Sequence, residues 1–291
     1  MTRRPGAGRL RDVARAVLPA PAHRVLRRHS VRRQIRTFPP RVVEHEYGGH
    51  RLRVALRDPL AEGWYDHDWG LQAEIELLKQ GRLGPGALVF DVGAHQGVVA
   101  LLLAREVGEH GHVVAVEAEP HNAEVALENK ALNDAGNLTV IPAAISDRPG
   151  RIFFSEGLNG TVQPGGRAGK VAVEATTIDE LATRFGEPDV VFVDVEGFEE
   201  RALAGARRTL ARGRTDVFVE LHDRDTLSRA GASAERVVGH LVEAGCDCRV
   251  AATRDGAITG AFSGLESGLH LRGERCYLVA TGRPAVRRPG V

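Results

Sequence analysis

From Ala87 onward the chain alternates short apolar segments with amphipathic ones, and few folds accept that rhythm. Leu88–Asp91, Val113–Glu117 and Leu138–Ile141 read as buried strands, with helices predicted between them over Val98–Val107 and His121–Leu132. A second half predicts strands at Val190–Val195 and Val217–Leu221 and helices at Glu199–Leu210 and Ala234–Ala244. Two more strands, Arg249–Ala252 and Cys276–Ala280, close the chain. This is the pattern of a parallel sheet wrapped by helices, a doubly wound α/β architecture.

Other elements lie before and between these halves. Val42–Leu56 alternates around Gly48-Gly49, which predicts a tight hairpin, and Leu71, Ile75 and Leu78 stand at helical spacing over Leu71–Gln80. Arg151–Ser155 and Lys170–Glu174 read as strands flanking Gly157–Gly169, a glycine-rich insertion expected to serve as a substrate loop. The resulting division is a basic, partly disordered arm (1–36), a hairpin and lead-in helix (37–84), the main domain (85–283) and a short tail (284–291).

The arm carries eleven Arg, no Lys and one acid, Asp12, whereas the rest of the chain is net acidic by nine charges. Weak contact with anionic lipid or nucleic acid is the most such an arm offers by charge alone, and it lacks an aromatic residue before Phe38 to stack on a base. Arg3-Arg4 is not followed by the unbroken apolar run of a twin-arginine signal, because Arg9, Arg11 and Arg15 interrupt it. Elsewhere the longest apolar run, Val98–Ala104, is far short of the eighteen or more residues of a spanning helix. Three cysteines, Cys246, Cys248 and Cys276, make neither a disulfide framework nor a zinc pattern. The expectation is a cytoplasmic protein in a reducing compartment.

Chemistry concentrates at the strand ends. In Val89-Phe90-Asp91-Val92-Gly93-Ala94-His95-Gln96-Gly97 a strand ends in a carboxylate, turns through glycines and enters a helix, so a nucleotide can approach bare backbone. The third glycine of the dinucleotide fingerprint is missing, and Asp91 suits an amine better than a pyrophosphate. Val116-Glu117 ends the next strand with an acid placed to take both ribose hydroxyls, a geometry shared by NAD and S-adenosylmethionine sites. Asp194 and Glu196 follow the fourth strand, and Glu220 and His222 the fifth. In a doubly wound sheet these tips are neighbours.

Phe90-Asp91-Val92-Gly93-Ala94-His95-Gln96-Gly97, Ala115-Val116-Glu117 with Pro120, Asn129-Lys130-Ala131-Leu132-Asn133, Thr177-Ile178-Asp179-Glu180-Leu181, Val193-Asp194-Val195-Glu196-Gly197-Phe198-Glu199 with Leu203-Ala204-Gly205-Ala206, and Glu220-Leu221-His222 together resemble the FkbM-type methyltransferase family. The likeness spans roughly residues 70–225 in the family's order, and its most specific piece is the Asp-Val-Glu-Gly-Phe-Glu run at 194–199. His95 stands where the family usually has Asn, and Ala118 where it usually has Pro. The resemblance implies a seven-stranded Rossmann-like sheet with the last strand antiparallel, S-adenosyl-L-methionine as cofactor, and O-methylation of a sugar, glycan or secondary metabolite.

Candidate cofactor-binding residues are Asp91, Gly93, Ala94, Gly97, Glu117 and Ala144. Candidate catalytic residues are His222, Asp194 and Glu196. An alcohol needs a base near it, and His222 is the favoured one because an unperturbed imidazole titrates at ~6.5. A divalent metal on Asp194, Glu196, Glu220 and His222 is the less favoured reading, because strand alternation turns Asp194 and Glu196 to one side without aiming them at one point; no metal is assigned. Two other functions compete. An NAD-dependent oxidoreductase explains Gly93, Gly97 and Glu117 but not Asp91 or the 194–199 run. A nucleic-acid methyltransferase would use the basic arm, yet no Pro-Pro-aromatic element follows the fourth strand.

Overall fold

The computed structural model describes residues 30–155, 158, 161–162, 171–254 and 257–282. Most of the arm, most of the Gly157–Gly169 segment and the 284–291 tail lie outside the described residues. Strands β1 (Arg41–Tyr47) and β2 (His50–Leu56) form the expected hairpin. Its turn places Gly48 and Gly49 at φ 58° and 88°, the left-handed region that a two-residue turn between twisted strands requires.

Asp58 then starts a helix that the sequence reading missed, Pro59–Tyr65. Proline occupies its first turn, and Oδ1 of Asp58 accepts the N–H groups of Leu60 and Ala61, both at 2.9 Å. The predicted helix over Leu71–Gln80 is shorter, Ala73–Lys79, and leaves Leu71 at the surface.

Along the main domain run β3 (Leu88–Val92), β4 (His112–Glu117) and β5 (Leu138–Pro142), followed by β6 (Ala144–Ile145), β7 (Gly150–Ser155), β8 (Thr161–Val162) and β9 (Val171–Thr176). Next come β10 (Val190–Val193), β11 (Asp216–Leu221), β12 (Asp247–Arg254), the two-residue β13 (Ala257–Ile258) and β14 (Ser263–Gly264), and β15 (Cys276–Thr281). Strands β6 to β9 make a separate small sheet. The large sheet has the order β13-β12-β15-β11-β10-β3-β4-β5, with β14 beside β12. Strands β5, β4, β3, β10 and β11 are mutually parallel, and β15 inserts antiparallel between β11 and β12. The expected seven strands and antiparallel last strand are present, and two short edge strands extend them.

Both faces of the sheet are covered, as parallel strands demand. Val89, Val190, Phe192 and Phe218 face the hairpin and the helix Val98–Val107, whose Leu101, Leu102 and Leu103 are fully buried. Phe90, Val92, Val191, Val193, Val217 and Val219 face the helices Ile178–Phe185 and Ala234–Glu243. Each fully buried Leu or Phe contributes about 1.5–3 kcal/mol of transfer free energy, which is how two thin layers hold the sheet edge in place. The single helix predicted over Glu199–Leu210 is two, Glu199–Ala204 and Arg207–Ala211. The second starts where the Asp179 carboxylate accepts the N–H groups of Arg208 at 3.0 Å and Thr209 at 2.8 Å, restarting the helix with an anion at its N-terminus.

Candidate active site

The loops after β3, β4, β5 and β10 surround a cleft open to solvent at its mouth. Gly93, Glu117, Ala144, Asp194 and Glu196 line it, with His95, Ile145, Phe198 and Trp64 completing the wall. Asp91, Ala94 and Gly97 are not wall residues. Asp91 is buried at the end of β3 and its Oδ2 has no hydrogen-bond partner; Gly97 sits at φ 76° and opens the helix Val98–Val107.

Gly93 is irreplaceable on geometric grounds. At φ 90° its missing Cβ would fall 1.7 Å from the carbonyl oxygen of Asp194, so β3 and β10 approach there through bare backbone. Both Gly93 and Ala94 donate their N–H groups to the carbonyl of Val116, at 2.9 and 3.1 Å, which ties the loop to the end of β4.

Glu117 is held by two backbone donors. Oε2 accepts from His95 at 2.8 Å and Oε1 from Glu119 at 2.7 Å, leaving further lone pairs for ribose hydroxyls. Burial nevertheless dominates and pushes its pKa up to about 8; burial likewise pushes Asp91 up to about 7.

His95, the residue that departs from the family pattern, has φ 49° and a neutral ring, because burial pushes its pKa down to about 4. Its tautomer follows from its partners. Nδ1 accepts from the Tyr65 hydroxyl at 2.8 Å, and Nε2–H donates to the carbonyl of Leu158 at 3.1 Å. Trp64 packs against the same ring, 5.0 Å between centroids, and is 39% exposed at the cleft. Asp58 braces this corner from behind: besides capping the helix, its Oδ2 accepts from Gln96 at 2.6 Å and pairs with His121 at 3.0 Å. Burial opposes its charge, but those bonds hold its pKa below the ordinary carboxylate value.

The tips of β10 and β11 meet as the sequence reading foresaw. Val193 pairs with Val219, so Asp194 and Glu220 follow side by side on one face of the sheet. His222 is 1% exposed; Nδ1 donates to Oε1 of the buried Glu199 at 2.6 Å, and Gly197 N–H fixes that same oxygen at 2.9 Å. Nε2 faces Oε2 of Glu196 at 3.2 Å and Oδ1 of Asp194 at 3.8 Å without the alignment of a hydrogen bond. Burial disfavours a charged ring here, but the carboxylates of Glu196, Glu199 and Asp194 prevail and push its pKa up to about 11. The expectation of a ring titrating near ~6.5 is therefore corrected: in this surrounding the imidazole carries its proton through the neutral range. Glu199 was read only as part of a motif, and no spacing rule pointed it at a histidine on another strand.

The residues fit the cofactor that the sequence implied. A cationic amine suits an unpartnered buried carboxylate such as Asp91, Gly93 leaves the backbone open to close approach, and Glu117 is oriented to accept from a diol. A family description, the methyltransferase FkbM domain, matches residues 91–245. An arsenite methyltransferase of Halobacterium salinarum is 43% identical over 56 residues, 19% of this chain and 14% of that protein, so the chain spans only a small part of that relative. Among solved structures, the FkbM methyltransferase of Methylobacillus flagellatus aligns with TM-score 0.42 and 16% identity, covering 66% of this chain and 43% of its own. Fibrillarin of Aeropyrum pernix, solved with natively bound S-adenosyl-L-methionine, aligns with TM-score 0.43 and 15% identity over 84% of this chain and 83% of its own. With the family match covering more than half of its length, the chain belongs to the FkbM methyltransferase family.

Proposed function

We propose that the acceptor is a hydroxyl of a sugar, glycan or hydroxylated secondary metabolite, and that Asp91, Gly93, Ala94, Gly97, Glu117 and Ala144 form the cofactor side while Asp194, Glu196 and His222 serve the acceptor. The observation that carries this reading is the pairing of an exposed indole, Trp64, with two carboxylates, Asp194 and Glu196, around one cleft. A polyhydroxylated ring offers an apolar C–H face to the indole and O–H donors to the carboxylates, matching both kinds of wall.

The cofactor supplies an electrophilic methyl group on a sulfonium. The protein's task is to hold the hydroxyl oxygen in line with it at near-attack separation, about 3 Å, and to exclude water. With that cofactor bound, the acceptor oxygen would take the methyl group as the S–CH₃ bond broke, the electron pair staying on sulfur, while Asp194 and Glu196 line the acceptor side of the cleft. The hydroxyl proton passes to a carboxylate of the Asp194–Glu196 pair, both within reach of the cleft. Buried Phe198 and the Trp64–His95 pair limit water at the wall.

Incubation of the purified protein with methyl-labelled S-adenosylmethionine and cell extract tests the reading. Label recovered as a methyl ether on a small molecule or glycan supports it; label in N-methyl groups or in nucleic acid refutes it.

A further inference from the structure

His222 points a buried nitrogen, Nε2, at a group of acids, with Oε2 of Glu196 at 3.2 Å and Oδ1 of Asp194 at 3.8 Å. Its ring is 1% exposed, Nδ1 is committed to Glu199 at 2.6 Å, and Nε2 lacks a hydrogen-bond partner although it faces Asp194 and Glu196. Oδ1 of Asp194 is also buried and without a hydrogen-bond partner. A carboxylate bonded to one ring nitrogen while the other faces a cluster of oxygen donors is the arrangement that orients a histidine toward a metal ion.

We propose that the tips of β10 and β11 form a divalent-cation site, with Nε2 of His222 and carboxylate oxygens of Asp194 and Glu220 as ligands, and that Mn²⁺ fills it and holds the acceptor hydroxyl. Its existence is independent of the acceptor's chemistry; its role rests on the O-methylation reading.

Distances support the ligand set. One donor atom from each of Asp194, Glu220 and His222 lies within 4.8 Å of the others, and the His222–Asp194 pair is at 3.8 Å. Donors bound at about 2.1 Å to one octahedral ion stand roughly 3 to 4.2 Å apart, so closing on an ion asks only for small side-chain shifts. Charge supports it too. A ligating Nε2 has given up its proton, so Arg275, whose Nη1 pairs with Oε1 of Glu220 at 2.6 Å, then faces the carboxylates of Asp194, Glu196, Glu199 and Glu220 without the imidazolium, and a dication takes the place of the displaced proton. Mixed oxygen and imidazole donors with positions left for water or a hydroxyl suit Mn²⁺ better than Ca²⁺, which prefers oxygen throughout.

The test uses the full-length protein freed of metal with EDTA. Titration with Mn²⁺, followed by the loss of the free-ion electron paramagnetic resonance signal and by calorimetry, should saturate at one ion per chain. Asp194→Asn and Glu220→Gln should each weaken binding at least tenfold, while Asp247→Asn, 72% exposed at the start of β12, should not. Asp194 is half exposed, so its variant tests the site even where His222→Ala fails to fold. Absence of saturable Mn²⁺ binding, or binding indifferent to Asp194→Asn, overturns the proposal and leaves His222 an imidazolium braced by acids. S-adenosylmethionine affinity, measured in EDTA on the same sample, separates that outcome from a failure of the methyltransferase site itself.

Discussion

Because burial pushes Glu117 up to about 8 and Asp91 up to about 7, the ligand-free protein at pH 7 keeps protons on both groups that a cationic cofactor should drive off. At that pH a group with pKa 8 is about 0.9 protonated and one with pKa 7 about 0.5, so binding that ionises both releases about 1.4 protons. The apparent association constant then rises with pH by the same slope in logarithmic units, and flattens above pH 9. Calorimetric titration of S-adenosylmethionine in two buffers of different ionisation enthalpy measures the release directly. Asp91→Asn should lower it to about 0.9, and Glu117→Gln to about 0.5. The second change should also weaken binding by about 1.5–3 kcal/mol, since it removes a charged acceptor held by His95 and Glu119. Equal heats in both buffers from pH 6 to 9, or a release untouched by both substitutions, would refute the reasoning.

Gly93→Ala should abolish cofactor binding or lower stability by more than ~4 kcal/mol, because its Cβ meets a backbone oxygen at 1.7 Å that cannot rotate away; a titration and a melt on the same sample decide. Tyr65→Phe leaves Nδ1 of His95 without its donor and should cost about 1–3 kcal/mol in denaturant unfolding, with unchanged stability counting against the assigned tautomer. The melting temperature of the ligand-free protein should fall from pH 6.5 to 8.5. Over that range unfolded carboxyls have already ionised, while the folded protein still holds protons on Asp91, Glu117 and Glu74, the last raised by burial to about 7, so stability is lost as pH climbs through the folded values. A melt flat across that range would contradict the burial of these groups.

What could be read from the sequence was local chemistry with its partners close by. Gly48-Gly49 named its own turn, whereas the capping box of Thr177 with Glu180, made in the structure with Glu180 N–H on Thr177 at 3.0 Å, was as local but went unread. The convergence of Asp194 and His222 followed from strand order alone. Asp58 was illegible because its partners, Gln96 and His121, come from elements far along the chain, and the break before Arg207 was illegible because Asp179 imposes it from another helix. The His222 pKa escaped for the same reason: it belongs to three carboxylates gathered around the ring, not to the residue.

Trp64 and Asp58 precede the family-matched stretch, and Arg275 follows it, yet the first two build and brace one wall of the cleft and the third anchors Glu220. The family-matched stretch and the cleft therefore have different borders. A graft of residues 91–245 onto another scaffold would carry Asp91, Gly93 and Glu117 without the indole wall. Conversely, a substitution at Trp64 or Asp58 can reshape that wall while Gly93 and Glu117 stay as they are.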